Sequence, residues 1–167
     1  YPIDFVINIG SAGGLSLNQN VCDVVISTGV LHHDVDVTAF GRQRGEVPGM
    51  PCVFQPDAVA LKQVEDILKD SKQPYHLGLI VSGDQFICRE DQVLQILDFF
   101  PDAVCAEMEA ASIAQVCHVF DIPFIITRSL SDIYRKGENH IQFDEYLKHA
   151  SQSSAKMCYR LVSTLSQ

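Results

Sequence analysis

The sequence predicts an α/β protein whose sheet is covered by helices on both faces. Three observations carry this prediction. Aliphatic runs of strand length alternate with amphipathic helical patterns, which is the order that builds such a sheet. The runs are continuous stretches of apolar residues, as in strands buried on both faces. At 167 residues with 47% hydrophobic content and no Trp, the chain is long enough to bury a core without disulfide or metal staples.

The elements follow in order. Asp4 to Gly10 reads as a buried strand, an abrupt beginning for an intact domain. Val24 to Val30, Leu77 to Ser82, the short Ala103 to Ala106 and Phe124 to Leu130 read as further strands. Asp57 is placed to cap a helix with Val59, Val64, Ile67 and Leu68 on its inner face. Asp91 to Phe100 is a second helix, stopped by Pro101. Glu109 to Phe120 is a third, with Ala110, Ile113, Ala114, Cys117 and Phe120 at helical spacing and Pro123 in the turn that follows. Phe143 to Leu165 is a long fourth helix with Leu147, Ala150, Met157, Leu161 and Leu165 facing inward. His32 to Phe54 is the one long irregular stretch, and loops of that length in a compact domain are usually functional.

Composition excludes several functions. A formal charge of -9 argues against nucleic acid or an anionic membrane surface as partner, since both need a concentrated positive field. No apolar run approaches the ~20 residues of a membrane span. Six cysteines without a CxxC pair, mostly within apolar stretches, fit a reduced, cytoplasmic chain. His32-His33-Asp34-Val35-Asp36 offers metal-ligand residue types, but its spacing matches no zinc or facial-triad pattern, so no metal is expected.

Ligands of open α/β sheets bind beyond the C-terminal ends of strands. Four segments there carry suggestive residues: Gly10-Ser-Ala-Gly-Gly14, Ser82-Gly-Asp-Gln-Phe-Ile87, Ala106-Glu-Met-Glu109 and Arg128-Ser-Leu-Ser-Asp132. Singly each is weak. The first fits neither a dinucleotide fingerprint nor a P-loop, and reads equally well as a tight turn needing backbone freedom. Glu107 and Glu109 alternate across a strand end, so only one faces a given pocket. Both also suit a helix N-terminus, where carboxylates oppose the dipole.

In this order, and with the loop phrase His33-Asp-Val-Asp-Val-Thr-Ala-Phe-Gly41, the four segments resemble the methylthioadenosine/S-adenosylhomocysteine nucleosidases, within the larger family of nucleoside phosphorylases. The resemblance runs from about Phe5 to the last helix. It implies a three-layer αβα fold with a mixed central sheet, a homodimer, an adenine nucleoside as substrate, and neither metal nor organic cofactor. It also implies residue roles. Asp132 resembles the acid that protonates the departing adenine, with Ser131 beside it. Glu109 resembles the acceptor of the ribose hydroxyls, with Met108 packed on the sugar, and Arg128 resembles the arginine supporting that glutamate and the nucleophile site. Ser11, Ala12 and Gly13 lie where the family lines the nucleophile side. Phe86 corresponds to the ring stacked on adenine, and Ile87 to the backbone that reads its edge. Phe143, offset by one residue from the family pattern, resembles the aromatic closing the thioether end. Phe40 and Pro48 in the long loop are expected to cover that end of a partner subunit's pocket.

The sequence also departs from the family. Members begin with a strand and a Gly-Ala-Met-x-x-Glu phrase whose glutamate helps position the attacking water. Here that phrase is absent. Residues 1–167 thus read as the C-terminal portion of one nucleosidase-type domain, lacking roughly a third of a typical ~230-residue member, and are not expected to be active alone. Two alternatives stay open: a phosphate-dependent phosphorylase, and a nucleoside-binding or storage relative that has lost its chemistry. Phosphorylases of this fold carry an arginine three residues before the turn serine. Asn8 stands there and cannot offset a phosphate dianion, which favours water as the nucleophile.

Overall fold

The structure is a computed structural model that describes residues 2–134, 136 and 143–165, the side chains of 143–145 and 147–149 excepted. Five strands form one mixed sheet. β1 (Val6–Gly14) runs parallel to β5 (Phe124–Ile133), with Val6 opposite Phe124 and Gly14 opposite Ile133. β2 (Val24–His32), β3 (Tyr75–Ser82) and β4 (Ala103–Glu107) are parallel neighbours. β2 returns to β5 in antiparallel sense, and the last residues of β1 cross to β4, Gly13 opposite Ala106. The order β1-β4-β3-β2-β5 therefore closes on itself.

The four expected helices flank this sheet: α1 (Ala58–Asp70), α2 (Glu90–Phe99), α3 (Ala110–Val119) and α4 (Phe143–Leu165). Strand side chains alternate between two faces, so neighbouring residues enter different cores. Val24, Ile26 and Ile125 pack with Val64, Leu68, Met157 and Leu161 of α1 and α4. Val25, Val30 and Ile126 pack with Ala111, Ala114 and Cys117 of α3. A third cluster joins Leu31 and Val81 to Val93 and Ile96 of α2.

Asp57 caps α1, its Oδ1 accepting from the Ala60 amide at 2.7 Å. Three inward assignments need correction. Val59 is 63% exposed, because the buried stripe is Ala60, Val64, Ile67 and Leu68, and Val59 lies one residue off it. Phe120 is 69% exposed: α3 ends at Val119, and the left-handed Asp121 turns the chain away. Leu165 closes α4 at a partly exposed end, whereas Ala150, Met157 and Leu161 are buried as expected. Leu147 lies outside the described side chains. Tyr146, which periodicity did not single out, is buried and donates its hydroxyl to the Ser129 carbonyl at 2.7 Å.

The tight turn considered for Gly10-Ser-Ala-Gly-Gly14 is strand, and none of its glycines has a positive φ. Their smallness serves close approach. A Cβ on Gly10 would lie 3.3 Å from the Arg128 guanidinium carbon, and one on Gly14 would lie 2.6 Å from Ile133 Cδ1. The long irregular stretch is anchored by the pairing of Val30 with Phe54 and holds one 3-10 turn, Thr38–Phe40. Gly45 within it has φ +85°, and its amide bonds the Val35 carbonyl at 2.8 Å. Among the described residues no helix is long and apolar enough to cross a membrane.

Candidate active site

The ends of β1, β3, β4 and β5 meet at one place, and a bulge prepares it. Along β1 and β5 the register slips between Ala12 and Gly13: Ala12 faces Leu130, but Gly13 faces Asp132. Ser131 is the extra residue. Bulges beside active sites re-aim side chains, and here Asp132 is carried over the Gly13 backbone. A Cβ on Gly13 would stand 3.3 Å from Asp132 Oδ2, a tight approach that glycine spares the carboxylate. Ser131 Oγ lies 2.7 Å from Asp132 Oδ1 and 3.3 Å from the Ala12 carbonyl oxygen, both acceptors for its hydroxyl. Asp132 is half-buried and Ser11 is exposed.

Beside this pair, β4 ends on Glu107, and its register places Ser82 of β3 opposite Glu107. Met108 and Glu109 follow on the open side, Met108 being 41% exposed. Glu109 is the N-cap of α3, with a backbone outside the helical range at φ -129° and ψ -30°. Past Ser82 the chain carries Phe86, which is 68% exposed, and Ile87, which packs on the cluster around Val81 and Val93. Ile87 also lines a cleft of about 210 Å³ together with His33, Arg44 and Gln92.

Arg128 does not face the opening. Its side chain and that of Glu107 are 1% and 2% exposed, and its Nη2 stands 2.5 Å from Glu107 Oε2. Nε donates to the same oxygen at 3.0 Å, Nη2 also to Asn8 Oδ1 at 2.6 Å, and Nη1 to the Thr127 carbonyl at 3.0 Å. A buried charge requires such a partner. Glu107 and Ser82, which carried no assigned role in the sequence, thus form a buried network with Arg128, and the half-buried Asn8 stands at its edge. The signal was present: one acidic and one basic residue, each inside an otherwise apolar strand, must pair when both are buried.

Phe40 and Pro48 stand away from the core on the loop, Phe40 being 84% exposed. At the base of that loop Arg44 pairs with Asp36 at 2.6 Å and sits 4.0 Å over the Phe99 ring. Phe143 begins α4, and its side chain lies outside the described residues. Asp36 also accepts from Thr38, Asp34 accepts from the Asp84 amide at 2.8 Å, and His32 bonds Gln115.

A mixed, closed sheet with a carboxylate and a small-residue strand at its rim defines a class, and the phosphorylase superfamily model matches residues 1–163. A 5′-methylthioadenosine/S-adenosylhomocysteine nucleosidase of Exiguobacterium sp. is 47% identical over 98% of this chain and 70% of its own length. The crystal structure of the nucleosidase of that description from Neisseria meningitidis, in complex with methylthio-immucillin-A, is 44% identical. It superposes with a TM-score of 0.88 over 96% of this chain and 70% of its own. One from Colwellia psychrerythraea, in complex with adenine, is 38% identical with a TM-score of 0.87 over 96% of this chain and 66% of its own. The chain belongs to the phosphorylase superfamily and, within it, to the 5′-methylthioadenosine/S-adenosylhomocysteine nucleosidases.

Proposed function

We propose that this protein hydrolyses the N-glycosidic bond of 5′-methylthioadenosine and S-adenosylhomocysteine, releasing adenine and the thioribose. The observation that carries the reading is the placement of Asp132 over Gly13, beside the β4 end that bears Glu109, in a chain related so closely to nucleosidases. Breaking the bond leaves negative charge on adenine and positive charge on the sugar, so an acid must stand at the base and anions near the ribose. Asp132 supplies the proton to the five-membered ring, with Ser131 orienting its carboxyl. Glu109 accepts from the ribose hydroxyls and Met108 packs on the sugar. Phe86 stacks on adenine and the Ile87 backbone reads its edge, while Ser11, Ala12 and Gly13 line the nucleophile side.

Replacing Asp132 by Asn keeps the shape and removes the transferable proton. General acid catalysis is worth ~10²–10⁴ in rate, so turnover of Asp132→Asn falls by at least that much while adenine still binds. Near-normal turnover would remove Asp132 from the role.

Phosphorolysis is the weaker reading. It needs a cation to hold phosphate, and Arg128 is buried against Glu107 with Asn8 on its other side. The active species is a homodimer in which Phe40 and Pro48, with Phe143, close the thioether end of the pocket, the first two from the neighbouring subunit. Support comes from the exposure of Phe40 at the tip of a loop whose base is held by the Arg44 contacts. A cytoplasmic location fits six cysteines that form no disulfide.

A further inference from the structure

We infer that Glu107 is the positioning residue for Glu109, acting from beneath the ribose side of the site without touching substrate. This rests on the nucleosidase reading above. A carboxylate this deep is tolerated only when its lone pairs are filled, and the partners that fill them are the parts that build the site. Glu107 Oε2 accepts from the amides of Glu109 at 3.1 Å and Ala110 at 2.9 Å, while Oε1 accepts from Ala110 at 3.1 Å and from the Ser82 hydroxyl. Ser82 Oγ in turn accepts from the Ala111 amide at 2.8 Å. The first amides of α3 have no partners within the helix, and here they converge on Glu107 and Ser82. Glu109 itself makes no side-chain cap, which leaves its carboxylate available.

Arg128 completes the device from the opposite side. Its two contacts to Glu107 Oε2 pull the carboxylate toward β5, and Asn8 holds the same guanidinium from β1. One carboxylate therefore ties the backbone of Glu109 to three neighbouring strands. Glutamine at 107 would keep the shape but lose the charge that faces Arg128 and one of the acceptors that the α3 amides require. The Glu109 peptide would then shift, and misplacement of a catalytic group by about 1 Å costs on the order of 10²-fold in rate.

The test is a double-mutant cycle with Glu107→Gln, Glu109→Gln and the pair, read as kcat/KM for 5′-methylthioadenosine together with the Kd for adenine. Glu107→Gln is expected to lose about 10²-fold in kcat/KM with adenine affinity unchanged. In the Glu109→Gln background it is expected to lose little more, because its effect runs through Glu109. Losses that multiply, or adenine affinity that falls in parallel, would reduce Glu107 to a stabilising core residue and overturn the inference, as would unchanged activity. Should Glu107→Gln fail to fold, Ser82→Ala takes its place in the cycle, with the same pattern at smaller size expected and the same outcomes overturning it. All three proteins are made as the complete enzyme, with the N-terminal segment its relatives carry; a complete wild type that releases no adenine would sink the nucleosidase reading, and the role of Glu107 with it.

Discussion

At the scale of single residues, several side chains at the strand ends are defined by what lies beneath them. His33 is the clearest case outside the carboxylates. Its amide bonds the Ser82 carbonyl at 2.8 Å, and its Nε2 is buried with no hydrogen-bond partner among the described residues. A Cβ on Gly83 would lie 2.4 Å from that nitrogen, so the ring presses on the start of the segment that carries Phe86. Burial lowers the proton affinity of His33 below its ordinary 6.5, outweighing the opposing pull of Asp34 and Glu107. The native state then binds fewer protons than the unfolded state below about pH 6.5. Stability should therefore fall as the pH drops through that value and level off below the folded pKa. Melting temperature measured from pH 7.5 to 5 is expected to decline less steeply in His33→Gln than in the wild type. Parallel curves would show that His33 carries no such linkage.

Elements were legible where local chemistry decides them. Asp57 announced α1 because an N-cap is a contact within four residues, and the apolar stripe of α3 was readable up to the point where the helix stops. The Gly10–Gly14 phrase was not. Glycines in a row suggest a turn, yet here they are strand, and their lack of a Cβ makes room for Arg128, Asp132 and Ile133 of β5, a closeness that is invisible until the two strands are paired. The long loop stood out through its length, and its pairing of Val30 with Phe54 shows how it is tied down. If its tip reaches a second subunit, sedimentation velocity should give a dimer. Phe40→Ala should then raise KM for 5′-methylthioadenosine on the order of 10- to 100-fold without changing adenine affinity, since one buried aromatic ring contributes on the order of 1.5–3 kcal/mol. A fully active monomer would exclude this use of the loop.

For the whole molecule, alternation of strand and helix was enough to expect a mixed α/β sheet, but its closure was not written in any local pattern. β1 meets both β5 and β4, and that depends on pairings more than 90 residues apart in sequence. The site had the same character. Asp132, Glu109 and Phe86 stood out through the order of four phrases, each weak alone, whereas the set of Asn8, Ser82, Glu107 and Arg128 required the folded strands to bring its members together. That set also bears on the reaction, because it compensates the charge of Arg128 inside the protein and leaves the nucleophile side without that cation's attraction for phosphate. The most direct test is to identify the sugar product that the complete enzyme makes from 5′-methylthioadenosine with and without phosphate at constant ionic strength. Free methylthioribose with adenine, at a rate that phosphate does not change, is the expected result. A ribose 1-phosphate product whose formation scales with phosphate would contradict hydrolysis and establish phosphorolysis in its place.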